Sequence, residues 1–295
     1  MTLEDAVGAA LANHPDVVAA GAQTDIADAQ ARQARAPLLP QVDLSGRYGY
    51  SWSDPGDDLP SSSGDSYSAS LSGGMLLWDF GQTRNRWRSA LASKDAAEGD
   101  AEAVRHALVL DARLAFLDAL ETRALIQVAR DTLSNQERHL AQIQEFVQIG
   151  TRPDIDLARL RTQVAQARSA LIRAENDHRT AKARLNRAMG VRGSIDYEVA
   201  AAQLPALAVE NKPTADLYAT AIGLRPEHVA QRASIRGQEL DVRAARAWLL
   251  PSLRLGADAS YSGQEFADPG FGATVGVSLS WNLFDGLASP AAADA

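Results

Sequence analysis

The feature that most constrains this chain is that it repeats itself. A segment beginning at His14 (HPDVVAAGAQ…) aligns without a gap with one beginning at Arg225 (RPEHVAQRAS…), at a constant offset of 211 residues. Pro15, Arg35, Leu38, Leu39, Pro40 and Tyr50 answer Pro226, Arg246, Leu249, Leu250, Pro251 and Tyr261. Further on, Leu77–Gly81 (LWDFG) answers Leu283–Gly286 (LFDG), with the slip in offset taken up by a longer first loop. A shared Arg-x-x-Leu-Leu-Pro at constant offset means that whatever one copy builds, the other builds too. The chain therefore divides into a first repeat over 1–211 and a partial second repeat over 212–295.

Each copy changes its hydrophobic period at Leu-Leu-Pro. Before it the sequence is helical, with Pro at the first turn of each helix. After it the period becomes two. Val42, Leu44, Tyr48, Tyr50 and Trp52 alternate with Gln41, Asp43, Ser45, Arg47 and Ser51, and Tyr67, Ala69, Leu71, Met75 and Leu77 alternate with serines. The second copy repeats the pattern through Leu253–Tyr261 and Phe271–Trp281. Four strands in two hairpins follow, with loops at Ser53–Asp65 and Gly263–Gly270 rich in Gly, Pro, Asp and Ser. The expected elements are helices over 3–14 and 15–37, strands over 41–52 and 66–79, helices over 214–248, and strands over 251–262 and 271–284.

Between the hairpins lies a helical stretch without Pro from 82 to 149, interrupted only by Gly99. Ile126, Ala129, Leu133, Gln136, Leu140, Ile143 and Val147 step by three and four. After a turn at Gly150-Thr151-Arg152-Pro153-Asp154, the same stepping resumes through Leu157, Leu160, Val164, Ala167, Leu171, Ala174, His178, Ala181, Leu185 and Ala188. Two facing heptad seams predict an antiparallel helical hairpin, 82–149 against 154–190, with Gly150 closing the first helix and a Thr151…Asp154 capping box opening the second. At 1.5 Å per residue the first helix spans roughly 100 Å. Its partner covers about half of that, and the 15–37 helix has the length to pave the rest. A connector over 191–213 follows.

Composition enters as a set of exclusions. There is no Cys, so there is no disulfide framework and no thiolate chemistry. With 37 acidic against 29 basic residues the chain is a poor partner for a nucleic-acid backbone. No apolar run reaches the ~18 residues of a membrane-spanning helix, and the acidic N-terminal stretch does not read as an export leader. The 56 alanines favour closely packed helices over an enzyme core. The five histidines, His14, His106, His139, His178 and His228, lack ligand spacing, and no glycine-rich phosphate loop opens a helix. No metal, cofactor or catalytic residue is expected.

The strands are long enough for a tilted crossing of a bilayer. Their polar face places Asp43, Arg47, Arg254 and Asp258 on the inner, wet side of a barrel. Tyr48, Tyr50, Trp52, Tyr67 and Tyr261 fall at the loop ends as an interfacial girdle, and Trp78 and Trp281 fall towards the opposite interface. An open four-stranded sheet leaves edge groups unpaired in lipid, so other chains must complete it; three copies give twelve strands. A water-soluble α+β domain with the sheet packed on helices is the competing reading at this point.

The features TLEDAVGAALANHPDV, the paired Arg…Leu-Leu-Pro helix ends, LLWDFGQ with LFDG, and the turn GTRPDIDLARL occur here in one order. In that order the sequence resembles the TolC-type outer-membrane efflux family. The resemblance implies a mainly α fold with membrane β: long antiparallel coiled-coil helices, and two β-hairpins contributing four strands to a trimeric twelve-stranded barrel. It implies a homotrimer in the outer membrane, with helices projecting into the periplasm, acting as passive conduit in tripartite efflux or type I secretion. Its partners would be a periplasmic adaptor and an inner-membrane pump, with outer-membrane lipid around the barrel and no nucleic acid. On that pattern Gly150, Thr151, Arg152, Asp154 and Asp156 match a periplasmic tip gripped by the adaptor, although plain solvated cap residues read the same way. One departure stands out: in the family the second hairpin leads into another helical pair, whereas here Gly286 is followed by LASPAAADA. A non-functional truncated member, or a periplasmic coiled-coil adaptor, stay open as alternatives on sequence alone.

Overall fold

The computed structural model describes residues 1–53, 62–194, 196–201, 212–247, 249–263 and 270–283. Its elements are α1 (Leu3–Asn13), α2 (Pro15–Arg35), β1 (Gln41–Ser53), β2 (Ser62–Trp78), α3 (Gln82–Gln148), α4 (Asp154–Ala188), α5 (Thr214–Leu224), α6 (Pro226–Ala247), β3 (Ser252–Gly263) and β4 (Gly270–Ser280). The chain is mainly helical with one four-stranded antiparallel sheet. It forms two compact units, one of Met1–Ala22 with Asp100–Pro226, the other of Gln23–Gly99 with Glu227–Ala295. The units cut across the two copies of the repeat: the second unit gathers both hairpins, and the first gathers the long helical hairpin.

In the first unit the seam residues are the ones that leave solvent. All seven positions from Ile126 to Val147 and all ten from Leu157 to Ala188 are buried or half-buried. Off-seam neighbours such as Leu125, Val128 and Ile172 stay exposed. Ion pairs Arg130–Glu175 (3.5 Å), Arg168–Glu137 (3.3 Å) and Arg184–Asp118 (3.5 Å) link α3 to α4 at near-equal distances from the turn, which fixes the antiparallel register. The three arginines are exposed and each carboxylate is at least a third exposed, so these pairs add little stability; the seam carries it. The core of this unit is where α1 and the connector join the hairpin. Ala6, Phe116, Ala119, Ala181, Leu185, Met189 and Val199 form one buried cluster. The connector is held by Tyr197, whose hydroxyl donates to Asn186 Oδ1 (2.9 Å), and by Met1, whose amine donates to the Glu198 carbonyl (3.0 Å). Gly190 closes α4 at φ +66°, and a Cβ there would lie 2.7 Å from His14 Cα. Glycine is required on both counts.

In the second unit α2 and α6 lie along the first part of α3. Lys94 Nζ meets Asp28 at 2.8 Å, and Gly99 lets α6 approach so closely that a Cβ there would stand 3.0 Å from that of Ala230. Gly99 does not break α3, which runs through it.

Several boundaries differ from those expected. α2 ends at Arg35 and passes into a short 3-10 turn, Ala36–Leu38, because Pro37 has no N–H to continue the helix. β2 starts four residues earlier than expected, at Ser62, paired with Ser53. A β-bulge between Leu76 and Trp78 inserts one residue into β2, so Trp78, not Leu77, stands opposite Leu253 on the apolar face. β4 ends at Ser280, which leaves Trp281 outside the strand. Phe284, Asp285 and Gly286 of the LFDG motif, and the loop centres 54–61 and 264–269, lie outside the described residues.

The first copy of that motif has a local role. Asp79, 8% exposed, accepts hydrogen bonds from the N–H groups of Gly81 (3.1 Å) and Thr83 (2.7 Å) and so satisfies the start of α3. Between Asp79 and Gly81, Phe80 is the one non-glycine among the described residues with positive φ, at 54°.

Candidate functional site

The sheet order is β1-β2-β3-β4, and the pairing joins the two hairpins through β2 and β3. Paired residues in an antiparallel sheet share a face. One face therefore carries Val42, Leu44, Tyr48, Tyr50 and Trp52 on β1, Tyr67, Ala69, Leu71 and Met75 on β2, Leu253 to Tyr261 on β3, and Phe271 to Leu279 on β4. Among the described residues much of it lies open to solvent. Leu44 is 79% exposed, Val275 76% and Phe271 75%. A patch of this extent on a soluble monomer marks a missing apolar environment.

The other face is Ser, Gly and charge. The four charged residues expected on the wet side, Asp43, Arg47, Arg254 and Asp258, all lie on it. Asp43 stands opposite Ser72, and Ser72 opposite Asp258, so the two carboxylates occupy one row two strands apart. Arg47 pairs with Ser68 and Arg254 with Leu76 and Ser278. Ser45 and Ser70, paired across β1 and β2, share a hydroxyl–hydroxyl hydrogen bond of 2.7 Å. β1 and β4 each pair on one side only in this sheet.

The aromatics separate by end. Tyr48, Tyr50, Trp52, Tyr67 and Tyr261 lie in the loop-side halves of their strands, with the Tyr67 and Tyr261 rings 6.1 Å apart and the Tyr48 hydroxyl donating to Asp65 (3.0 Å). Trp78 and Trp281 lie at the opposite end, 59% and 58% exposed. Trp281 Nε1 donates to the Leu249 carbonyl at 3.1 Å.

The second candidate region is the α3–α4 turn. Gly150 adopts φ 83°, and the Thr151 N–H reaches back to the Phe146 carbonyl (3.0 Å), which closes α3. The expected capping box is not formed. Pro153 is the N-cap of α4 and has no side-chain acceptor, while the Thr151 hydroxyl donates to Phe146 O at 2.8 Å and so closes α3 instead. Arg152 and Asp156 form an exposed pair at 3.5 Å. Below it a cleft of about 290 Å³ is lined by His139, Ile143, Arg152, Asp156, Arg159 and Leu160, among others. Besides the residues that the resemblance marks, this turn carries Ile149 and Ile155, 70% and 58% exposed. Their signal was available: both are apolar residues off the seam at helix ends.

His178 sits on the seam, its Nδ1 3.1 Å from the Thr122 hydroxyl. That hydroxyl also lies 2.8 Å from the Asp118 carbonyl, to which it can donate. Burial above all, then the charge of Lys182, pushes the His178 imidazole below its ordinary pKa of 6.5, against the opposing pull of Glu198. Among the described residues no helix is long and apolar enough to cross a membrane, and no three His, Asp or Glu side chains gather to hold a metal.

Residues 6–191 match the family described as Outer membrane efflux protein. The chain is 28% identical to the pyoverdine export outer membrane protein OpmQ of Pseudomonas putida, over 93% of this chain and 60% of that protein. It is 23% identical to the cation efflux system protein CusC of Escherichia coli, over 96% of this chain and 60% of that one. Among solved structures, it superposes on the outer membrane protein VceC of Vibrio cholerae with a TM-score of 0.85 at 18% identity, over 99% of this chain and 71% of that one. CusC superposes with a TM-score of 0.82 at 20% identity, over 99% and 68%. The chain thus spans about 60% of the length of these two curated relatives.

Proposed function

Since this chain belongs to the outer membrane efflux protein family, a family of channel proteins, we propose that it supplies the outer-membrane channel of a tripartite efflux or type I secretion system. The observation that carries this reading is the sheet: one bare apolar face, one Ser-rich charged face and two open edges. In lipid every backbone N–H and C=O needs a partner inside the protein. β1 and β4 satisfy that need when they pair with strands of neighbouring copies, and three copies close a barrel of twelve. The apolar face then meets acyl chains, and Asp43, Arg47, Arg254 and Asp258 line water. The loop-side tyrosines with Trp52 sit at one headgroup boundary, and Trp78 and Trp281 at the other.

The α3–α4 hairpin projects into the periplasm on this reading, and its turn is the docking point for an adaptor, with Ile149 and Ile155 as the apolar contacts and Arg152, Asp154 and Asp156 around them. No residue performs a chemical step. The conduit is passive, and an inner-membrane pump drives the solute through it. The named relatives are a pyoverdine export protein and a cation efflux system protein, and the Ser and Gly lining here is permissive to either.

Exported to the periplasm behind a secretory leader, the chain is expected in the outer-membrane fraction as a detergent-resistant trimer that conducts ions in planar bilayers. Recovery only as a soluble monomer sinks the proposal.

A further inference from the structure

The strand register brings the starts of β1 and β3 and the ends of β2 and β4 to one end of the sheet, since Gln41 pairs with Gly74, Gly74 with Gly256, and Gly256 with Gly276. At this end the apolar face finishes in exposed Trp78, Phe80, Leu249, Leu250 and Trp281. Trp78 and Phe80 meet edge to face at 6.0 Å, and Phe80 holds its outward place in a left-handed backbone conformation.

Four arginines stand beside the same end. Arg35 ends α2 six positions before β1, and Arg246 lies six positions before β3. Arg84 and Arg88 are in the first two turns of α3, on one face at i and i+4, within about 10 Å of its start along the axis. All four are exposed. None forms an ion pair with a carboxylate among the described residues, whereas Arg32, Arg236 and Arg243 of the same unit each do. Arg35 instead lies over the Trp87 ring, 5.5 Å from its centroid. Helix stability explains cations at the ends of α2 and α6. It does not explain Arg84 and Arg88, since a helix start favours anions and the first turn of α3 holds no acid. In a chain of net charge −8 this is a local excess of uncompensated positive charge next to an apolar belt. Arg86 differs: it lies on the other side of α3, in a hollow it shares with Glu239 and Asp241.

We propose that Arg35, Arg84, Arg88 and Arg246 form a collar that binds the phosphate groups of anionic phospholipids in the periplasmic leaflet. Trp78, Phe80 and Trp281 are seated just above it, at the acyl boundary. Guanidinium groups pair with phosphate through two parallel hydrogen bonds, which gives the collar its choice of headgroup over a neutral one. The inference rests on the reading that the apolar sheet face lies in lipid, and continuity with that face is what selects a lipid over another anion.

The test uses the whole chain reconstituted into vesicles of phosphatidylcholine alone or with a third phosphatidylglycerol. Brominated acyl chains quench tryptophan wherever the sheet enters lipid, whatever the headgroup. Binding to the anionic vesicles is expected to be on the order of tenfold or more tighter at low salt, and the gain to fade at high salt. The double variant Arg84→Gln/Arg88→Gln loses most of that ratio, Arg84→Lys/Arg88→Lys keeps a good part of it, and Arg86→Gln leaves it unchanged. Equal affinity for both vesicles, or a full ratio in the double Gln variant, overturns the collar while quenching still upholds the membrane reading. Selective competition by inorganic phosphate over sodium chloride of equal ionic strength overturns the lipid assignment in favour of a free anion. Absence of quenching in both vesicles overturns the membrane reading and the collar with it.

Discussion

The α3–α4 hairpin and the sheet answer the same problem in opposite ways. Each is built from a regular apolar pattern, of period 3.5 in the hairpin and 2 in the sheet. In the hairpin every apolar seam position finds its cover within the chain, from Ile126 to Val147 on one helix and from Leu157 to Ala188 on the other. In the sheet the backbone is paired strand to strand, yet Leu44, Phe271 and Val275 stay bare. The difference teaches that a clean pattern fixes an element without saying what covers it. The hairpin, with α1 and the connector, builds its own core. The sheet leaves one apolar face and two edges open among the described residues, and on the proposed function lipid and further strands complete it.

The comparison breaks most sharply at Phe116, fully buried where α1, α3, α4 and the connector meet. Phe116→Ala is expected to cost about 3–5 kcal/mol in thermal or urea unfolding of the helical signal, without moving the sheet's affinity for vesicles. Its converse is Leu44→Arg, a charge in the middle of the bare face, costing roughly 2–4 kcal/mol of insertion. Far-UV circular dichroism should show unchanged helix, while the yield in the outer-membrane fraction falls. If Leu44→Arg inserts as well as the parent, the sheet is not a membrane surface.

Gly190→Ala sharpens the helical side of the comparison. It sets an alanine at positive φ and drives its Cβ towards His14 Cα, so a loss of at least about 1–2 kcal/mol is expected. A smaller effect is expected from pH. The His178 pKa is lowered by folding, so its contribution is complete above about pH 6.5 and is lost as pH falls through the folded value. The stability of the hairpin should fall on acidification over that range, and His178→Gln should flatten the profile. Smallest of all is Arg152→Ala at the turn. An exposed i, i+4 pair is worth about 0.5 kcal/mol or less, so stability barely moves. Ile149→Asp is the matched variant for adaptor capture: a larger loss of capture than with Arg152→Ala assigns the docking to the apolar residues.

Much of this was legible in the residues. The seams, the repeat and the alternation each follow from side-chain spacing over a few positions, which is why the burial pattern of α3 and α4 agrees with the stepping position by position. The same alternation put Asp43, Arg47, Arg254 and Asp258 on one face. Where spacing fails, a single residue changes the count. The bulge at Leu76 to Trp78 exchanges the expected Leu77 for Trp78, and Thr151 serves the helix behind it because Pro153 occupies the cap ahead. The clamp of Met1 on Glu198 joins groups 197 residues apart and leaves no local trace. Nor did the unpaired charge of Arg84 and Arg88, which needs the positions of carboxylates on other elements.

The sequence by itself determined the periods, the copy number of the hairpin and the sign of each face, because these depend on the covalent order of neighbours. Only the tertiary structure decided that β2 joins β3, bringing Gly73 beside Ala257 and merging two hairpins into one sheet with a single bare face. The reason is physical. Backbone hydrogen bonding is the same for every residue except proline, so a ladder between distant strands carries no residue code of its own. Its partner and register are set by which faces end up together and by what remains to cover them.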